Sequence, residues 1–218
     1  AFKTRKHVLV YSLEMGATQL AQRLLGAEAR MNLQDLLKGT FAQSDWNDLT
    51  DAASTLIEMP LHIDERSELS TAELKASARR FKARYGDVGL IVVDYLQLMR
   101  SSRVMDSKQN EVAEISRGLK AVARELEVPV IALSQLSRAV ESRNEKTPQL
   151  SDLRDSGAIE QDADLVALLY RDSYYAKDIE ARNDSSASLD IAKNRNGPTD
   201  KVDLVFLREY TRFEDRAR

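Results

Sequence analysis

Apolar and polar positions along the chain form two alternating patterns. Runs of aliphatic and β-branched residues at 8–11, 89–93 and 128–133 carry no charge, which is typical of buried strands in a parallel sheet. Between the last two runs, apolar residues recur at helical spacing from 110 to 127, which predicts a long amphipathic helix. Strands that alternate with helices predict an α/β fold with a mainly parallel sheet flanked by helices. The apolar face of the long helix comprises Val112, Ile115, Leu119, Val122 and Leu126.

The last third of the chain carries different signals. The segments "SLDIAKNR" and "KVDLVFLREYTRF" flank "NGPT", and this pattern predicts an antiparallel hairpin at the C-terminal end of the fold. The polar stretch 137–155 reads as a long surface loop, and 171–188 reads as a flexible insert. Upstream, Ser70 and Glu73 have the spacing of a capping box, which predicts the start of another helix.

Composition narrows the class of protein. The 218 residues suffice for one compact domain, and 43% hydrophobic with 31% charged residues is typical of a globular protein. There is no cysteine and there are two histidines, which argues against thiolate metal sites and zinc chemistry. The apolar runs are too short to span a bilayer, so a cytoplasmic protein is expected. The net charge of −3 implies that any contact with nucleic acid is local, as in a ring whose basic loops face one channel.

Side chains that could take part in catalysis or ligand binding stand at the ends of four of the predicted strands. They are Glu14, Asp94, Gln135, and the pair Lys193 and Arg195. In open α/β sheets the active crevice lies at the carboxyl ends of the strands, so these positions are candidates for a site. Together they match phosphoryl transfer, which needs a magnesium carboxylate, a group that orients water, a polar group near the γ-phosphate, and cations.

Each of these residues also has a structural interpretation. Glu14 is suited to cap the next helix, because acids favour helix N-termini. Asp94 is suited to end a strand as a hydrogen-bonded polar group, and Gln135 to bond a neighbouring loop. Lys193 and Arg195 alternate along a strand, as they would on a solvated edge.

The sequence contains no phosphate-binding loop of the form G-x-x-x-x-G-K-[ST]. None of its eight glycines is followed by lysine, and "LKGT" at 37–40 has these letters in the wrong order for such a loop. A nucleotide site built from the strand-end residues would therefore lack the backbone amides that cradle phosphates.

Several long motifs occur in an order that resembles one family. The chain is similar over nearly its whole length to the C-terminal motor domain of the bacterial replicative DNA helicases of the DnaB family. The resemblance implies a RecA-like fold, a homohexameric ring around single-stranded DNA, and ATP-driven 5′ to 3′ unwinding, with a helicase loader and primase as partners. The motifs are "YSLEMGATQLAQRLLGAEAR", "IVVDYLQLM", "EISRGLKAVARELEVPVIALSQLSRAVESR", "SDLRDSGAIEQDADLVALLYRD" and "KNRNGPT".

By this resemblance Glu14 is the catalytic glutamate and Asp94 the Walker B aspartate that binds Mg²⁺. Gln135 senses the γ-phosphate of ATP, and Arg23 contacts the nucleotide from the first helix. Lys193 and Arg195 enter the site of the neighbouring subunit, and Arg195 serves there as the arginine finger. In this motif the chain has "KNRNG" where the family commonly has "KQRNG", and both cations are kept.

The resemblance also implies DNA contacts. Arg154, Asp155 and Gly157 of "LRDSG" correspond to a loop that faces the central channel, although the family commonly has glutamate at position 155. A change of one carbon should matter little where the contact is made by the backbone. Arg103 and Lys108 lie in a second channel-facing segment and are weaker candidates.

The largest departure from the family lies at the front of the sequence. In this family the phosphate loop and its helix precede the strand "HVLVYSLEM", which here begins at His7. We therefore expect residues 1–218 to form a helicase ATPase domain that is incomplete on its N-terminal side. Such a chain alone would hold nucleotide poorly and hydrolyse little. The alternative is a non-catalytic RecA-like module for self-association, DNA binding or partner binding. A recombinase fits the fold but not "LRDSGAIEQDAD".

Overall fold

A computed structural model of the protein describes residues 1, 4–176 and 178–216, and it gives only the backbone at 154–156, 179 and 180. The chain divides into two compact units. One comprises 1–21, 54–135 and 155–162, and the other comprises 22–53, 136–154 and 163–218.

Helices and strands alternate through the first unit, and strands dominate the end of the chain. The strands are β1 His7–Ser12, β2 Leu61–Asp64, β3 Val88–Asp94, β4 Val130–Ala132, β5 Leu165–Tyr170, β6 Ser186–Asn194, β7 Lys201–Leu207 and β8 Arg212–Asp215. The helices are α1 Ala17–Glu28, α2 Leu33–Lys38, α3 Asp45–Glu58, α4 Thr71–Tyr85, α5 Lys108–Leu126, α6 Ala139–Ser142, α7 Gly157–Asp162, α8 Asp172–Tyr175 and α9 Ile179–Arg182. Two 3-10 helices span Leu96–Leu98 and Leu150–Ser156.

The predicted parallel sheet is confirmed in the first unit. Its strand order is β2-β1-β3-β4, and every neighbouring pair is parallel. Ile91 and Val93 of the central strand β3 are fully buried, and Tyr11 of β1 is only 2% exposed. Apolar side chains at the middle of the sheet thus form the core, as the uncharged runs predicted.

Helix α5 covers this core with the face that the sequence predicted. All five apolar positions of that face are buried. Helix α4 packs in the same cluster through Leu74 and Ala78, and it begins with the predicted capping box. The Ser70 hydroxyl accepts a hydrogen bond from the Glu73 N–H at 3.3 Å, and the Glu73 carboxylate accepts one from the Ser70 N–H at 2.8 Å. This reciprocal pair satisfies amides that the first turn leaves without helical partners.

The antiparallel part of the fold is larger than a hairpin. The predicted hairpin is confirmed as β6 and β7, and it belongs to a four-stranded sheet of order β5-β6-β7-β8. β5 pairs antiparallel with β6, and their register shifts between Val166 and Ala167. Val166 faces Lys193 while Ala167 faces Ile191, so Ala192 is the extra residue of a β-bulge.

The stretch predicted to be a long surface loop is anchored inside the second unit. It contains α6 and the 3-10 helix at 150–156, and Asp152 within it is 6% exposed. The Arg143 guanidinium donates to both carboxylate oxygens of Asp152, at 3.0 and 2.8 Å. Such a bidentate pair holds two segments of the loop together. Residues 171–188, predicted to be a flexible insert, contain the single-turn helices α8 and α9 and the start of β6.

β4 is shorter than the apolar run that predicted it, and it stands last in the order of the parallel sheet. Ile131 within β4 is 50% exposed, and Leu133 directly after the strand is 45% exposed. Among the described residues, no helix combines the length and apolar composition that a bilayer crossing requires.

Candidate active site

The carboxyl ends of β1, β3 and β4 meet at one edge of the parallel sheet. Ser12, the last residue of β1, lies opposite Asp94, the last residue of β3, and the Leu13 N–H donates to the Asp94 carbonyl at 2.7 Å. On the other side of β3, the Leu133 N–H donates to the Val93 carbonyl at 2.9 Å. These backbone bonds bring the segments that carry Glu14, Asp94 and Gln135 to the same edge, as the sequence predicted.

Glu14 and Asp94 are electrostatically coupled at this edge. Burial raises the pKa of the half-buried Asp94 carboxyl, and the nearby negative charge of Glu14 raises it further. Both effects disfavour the ionised form of Asp94. A divalent cation beside the two carboxylates would counteract both effects, because its positive charge stabilises the ionised form of each carboxyl group. The pair therefore fits Mg²⁺, a hard cation that proteins hold through one or two carboxylates together with phosphate oxygens.

Gln135 is held by a residue that sequence reasoning missed. The Gln97 side chain accepts a hydrogen bond from the Gln135 N–H at 3.2 Å and donates to the Gln135 carbonyl at 3.0 Å. It also donates to the Ser134 hydroxyl at 2.9 Å. Gln97 therefore fixes the backbone of Gln135, whose own side chain is exposed. The available signal was a single amide within the otherwise apolar "YLQLM".

A further carboxylate contributes to the same edge. Glu65 directly follows β2, and its carboxylate accepts a hydrogen bond from the Ala17 N–H at 2.5 Å, at the first residue of α1. Its negative charge also interacts favourably with the positive end of the α1 helix dipole. The helix-capping role considered for Glu14 is thus performed by Glu65, while Glu14 itself is exposed.

The remaining nucleotide candidates belong to the second unit. Arg23 is exposed on α1, Lys193 is half-buried near the end of β6, and Arg195 is exposed in the turn after β6. The Arg195 N–H donates to the Asp164 carbonyl at 2.8 Å. Its guanidinium also lies 3.4 Å from the Asp164 carboxylate.

The segments predicted to contact DNA are placed as follows. Arg103 is exposed in the loop before α5, and its N–H donates to the Ser101 hydroxyl at 3.0 Å. The Lys108 ammonium pairs with the Glu111 carboxylate at 2.7 Å. Gly157 is exposed as the first residue of α7. The side chains of Arg154 and Asp155 lie outside the described part of the chain.

Neither a cluster of metal ligands nor a cavity marks a different site among the predicted residues in the described part of the chain. In the described part of the chain, no three histidine, aspartate or glutamate side chains group as they would to hold a metal ion by themselves. A cavity of about 500 Å³ lies on the antiparallel sheet, lined in part by Leu168, Asp190 and Lys201. It contains none of the predicted catalytic residues. We place the candidate site at the strand ends because the carboxylates converge there.

Comparison with known proteins matches the family that the motifs indicated. The family model described as the DnaB-like helicase C-terminal domain matches residues 1–215. The chain belongs to this family. Over its full length it is 50% identical to the replicative DNA helicase DnaB of Geobacillus stearothermophilus, and it spans 48% of that protein. It thus spans about half the length of the curated relatives that it matches.

Solved structures agree with this assignment. A solved ATPase domain, 38% identical, superimposes with a TM-score of 0.92, and the match covers 99% of this chain and 76% of that one. A DnaB-like replicative helicase, whose structure was described together with its interactions with primase, is 39% identical and gives a TM-score of 0.91. That match covers 97% of this chain and 51% of the helicase. The predicted RecA-like fold is confirmed.

Proposed function

We propose that the chain is the motor part of a hexameric replicative DNA helicase, which hydrolyses ATP to move on single-stranded DNA and unwinds duplex DNA 5′ to 3′. The observation that carries the proposal is the convergence of Glu14, Asp94 and Gln135 at one sheet edge, in a chain of the DnaB-like family. The bacterial nucleoid would be its place of action.

Each residue at the sheet edge has a distinct part in the proposed reaction. Asp94 would hold the Mg²⁺ that accompanies the phosphates, and that ion would neutralise charge on the phosphate oxygens. Glu14, exposed beside it, orients a water molecule and accepts its proton as the oxygen attacks the γ-phosphorus. The bond from that phosphorus to the bridging oxygen breaks, and ADP leaves. Gln135 donates to the γ-phosphate and thereby reports its presence.

Arg195 and Lys193 act on the site of a neighbouring subunit in this proposal. Their cationic groups stabilise the negative charge that spreads over the transferred phosphoryl group. Arg23 contacts a bound nucleotide from the first helix. Hydrolysis in one subunit then depends on the position of the next, which is how a ring coordinates its steps.

Contacts with DNA would come from the segments that carry Arg103, Lys108, Arg154, Asp155 and Gly157. Lys108 pairs with Glu111, and a DNA phosphate would share its ammonium, which has three N–H donors, or replace that carboxylate. A helicase loader and primase would be further partners. In support, the similar helicase of known structure was described together with primase.

The proposal is tested in the full-length protein by Glu14→Gln, with Glu58→Gln at the exposed end of α3 as the matched control. Loss of a general base lowers turnover by about 10²- to 10⁴-fold. We therefore expect DNA-stimulated hydrolysis to fall by that factor, while binding of a fluorescent nucleotide persists. Strand displacement on forks with a single 5′ or 3′ tail measures direction. Hydrolysis by Glu14→Gln at the wild-type rate would overturn the catalytic assignment, and a full-length protein without turnover would favour the non-catalytic module.

A further inference from the structure

The turn that carries Arg195 is closed by the side chain of Asn194. Asn194 is the last residue of β6, and its amide oxygen accepts a hydrogen bond from the Asn196 N–H at 3.1 Å. Its amide nitrogen donates to the Pro198 carbonyl at 3.1 Å. One side chain thus bonds to two backbone groups that follow Arg195, in the way that asparagine side chains imitate a backbone turn.

The Asn194 amide occupies the space beside Gly197 inside this turn. A Cβ atom added to Gly197 would lie 2.9 Å from the amide nitrogen of Asn194. That separation is too short for a carbon and an amide nitrogen in contact. The Asn194 amide therefore packs directly against the Gly197 backbone, and a side chain at position 197 would displace it.

The turn is also tied to the neighbouring strand. The Arg195 N–H donates to the carbonyl of Asp164, just before β5, at 2.8 Å. The β-bulge at Ala192 lies immediately upstream, and bulges re-aim the residues that follow them. The Arg195 backbone is therefore held by its hydrogen bond to Asp164 and by the bonds that Asn194 makes within the turn. The Arg195 side chain is 47% exposed and pairs with the half-exposed Asp164 carboxylate. Exposed ion pairs are weak, so the guanidinium can exchange Asp164 for another anion.

We propose that Asn194 is a positioning residue for Arg195. By holding the turn closed, it sets the point from which the guanidinium reaches the phosphates of a neighbouring subunit. This inference rests on the proposed trans role of Arg195. A misplacement of about 1 Å in a group that acts on the transition state lowers turnover by up to about 100-fold. Loss of the Asn194 amide should therefore reduce turnover far more than it reduces binding of ATP.

The test uses mixed rings of two full-length proteins. The first carries Arg195→Ala and keeps its own site, and the second carries Glu14→Gln and keeps Arg195. Hydrolysis then arises where Arg195 of the second protein meets the site of the first. Asn194→Ala is added to the second protein alone, so the working site is unaltered. The matched control adds Asn196→Ala, which removes a side chain in the same turn but keeps the backbone N–H that bonds to Asn194.

We expect Asn194→Ala to lower kcat of the mixed rings by about 10- to 100-fold. KM for ATP, ring size and melting temperature should stay within error, and the Asn196→Ala rings should match the parent mixture. Gly197→Ala provides a second variant that displaces the Asn194 amide without deleting it. It should lower kcat in the same way, and the double variant should be no slower than Asn194→Ala alone.

The outcomes separate this inference from the proposed function. If homogeneous Arg195→Ala rings hydrolyse ATP normally, or if the parent mixture is inactive, the trans role itself fails. If the parent mixture is active and Asn194→Ala leaves its kcat unchanged, the positioning role is overturned while the trans role stands. A kcat that falls only in proportion to lost rings would also overturn it, since that result indicates a purely structural residue.

Discussion

Glu14 lies close enough to Asp94 for its negative charge to raise the pKa of the Asp94 carboxyl, in addition to the larger effect of burial. The ionised form of Asp94 is therefore less stable in the folded chain than in the unfolded chain. A functional residue of this kind lowers the stability of the fold, because the unfolded state ionises it without that penalty.

Asp94→Asn should therefore stabilise the chain at neutral pH while it abolishes hydrolysis in the full-length protein. The sign follows from the raised pKa. Above it, Asp94 is ionised in both states and the folded state is penalised. As the pH falls from the raised pKa to the ordinary value of 3.8, the folded state gains its proton first and the penalty disappears. Urea unfolding across this range measures the gain in free energy of unfolding.

Two variants control this experiment. Glu14→Gln removes the neighbouring charge, so it should lower the pKa of Asp94 and give a smaller gain in stability. Asp51→Asn, at an exposed position on α3, should leave the free energy of unfolding nearly unchanged. A loss of stability in Asp94→Asn at neutral pH would contradict the electrostatic account.

Gln97→Leu should reduce turnover of the full-length protein by misplacing Gln135. The Gln97 side chain makes three hydrogen bonds to Ser134 and Gln135, and a leucine makes none. Polar groups left without partners destabilise by about 1–3 kcal/mol each where they are buried, and less at this partly exposed site. We expect kcat to fall about tenfold, since a misplacement of about 1 Å can lower turnover by up to about 100-fold. Steady-state kinetics measures this, with exposed Gln43→Leu as the control. Unchanged kcat would show that Gln135 needs no such support.

His62 should make stability depend on pH. Burial lowers the pKa of His62, and the adjacent His7 lowers it further. The Nδ1 atom of His7 lies 3.0 Å from Nε2 of His62, which is the distance of a hydrogen bond in which one ring nitrogen donates its N–H and the other accepts. Because the unfolded state protonates first, stability is full above pH 6.5 and declines as the pH falls through the lowered pKa of the folded state. Urea unfolding at a series of pH values measures this decline.

His62→Phe provides the comparison. The His62 ring packs 4.5 Å from the Phe81 ring, so phenylalanine keeps an aromatic contact while it removes the titrating group. The variant should lose most of the decline below pH 6.5, while the lost hydrogen bond to His7 should lower its stability at neutral pH. An equally steep decline in His62→Phe would assign the pH dependence to other groups.

Gly118→Ala should fail to stabilise α5, although alanine favours helices by about 1 kcal/mol over glycine. A Cβ atom at this position would lie 2.7 Å from the methyl group of Thr71, at the start of α4. The clash forces the helices apart or moves the threonine. In a Thr71→Ala background the same change should cost less, because the contacts with the threonine methyl and hydroxyl groups are gone, although the Cβ atom of residue 71 still lies 2.9 Å away. Additive effects of the two substitutions would contradict a direct contact.

Local patterns in the sequence predicted the parts of the fold that depend on local rules. The apolar face of α5 and the Ser70 capping box are properties of single segments, and both are confirmed. The convergence of Glu14, Asp94 and Gln135 followed from the general geometry of parallel sheets. Their catalytic roles stay predictions.

Other features depend on contacts between distant segments, which one sequence does not encode locally. Gln97 lies 38 positions from Gln135, and Asp164 lies 31 positions from Arg195. No spacing pattern in the sequence predicts either of these pairings. The antiparallel pairing of β5 with β6 was not predicted, because the apolar composition of β5 does not specify the direction of the strand beside it. β4 is short because the chain after Ala132 turns to hydrogen-bond the Leu96 and Gln97 segment.

The outer position of β4 has a practical consequence for handling the protein. The segment 130–135 carries neither charge nor proline and includes the half-exposed Ile131, so it has the composition of an aggregation-prone strand. Glu127 and Pro129 precede it, as gatekeeper residues commonly do, but neither interrupts the run that contains Ile131. Light scattering should therefore increase sharply with concentration for this chain, and a lysine at position 131 should suppress that increase.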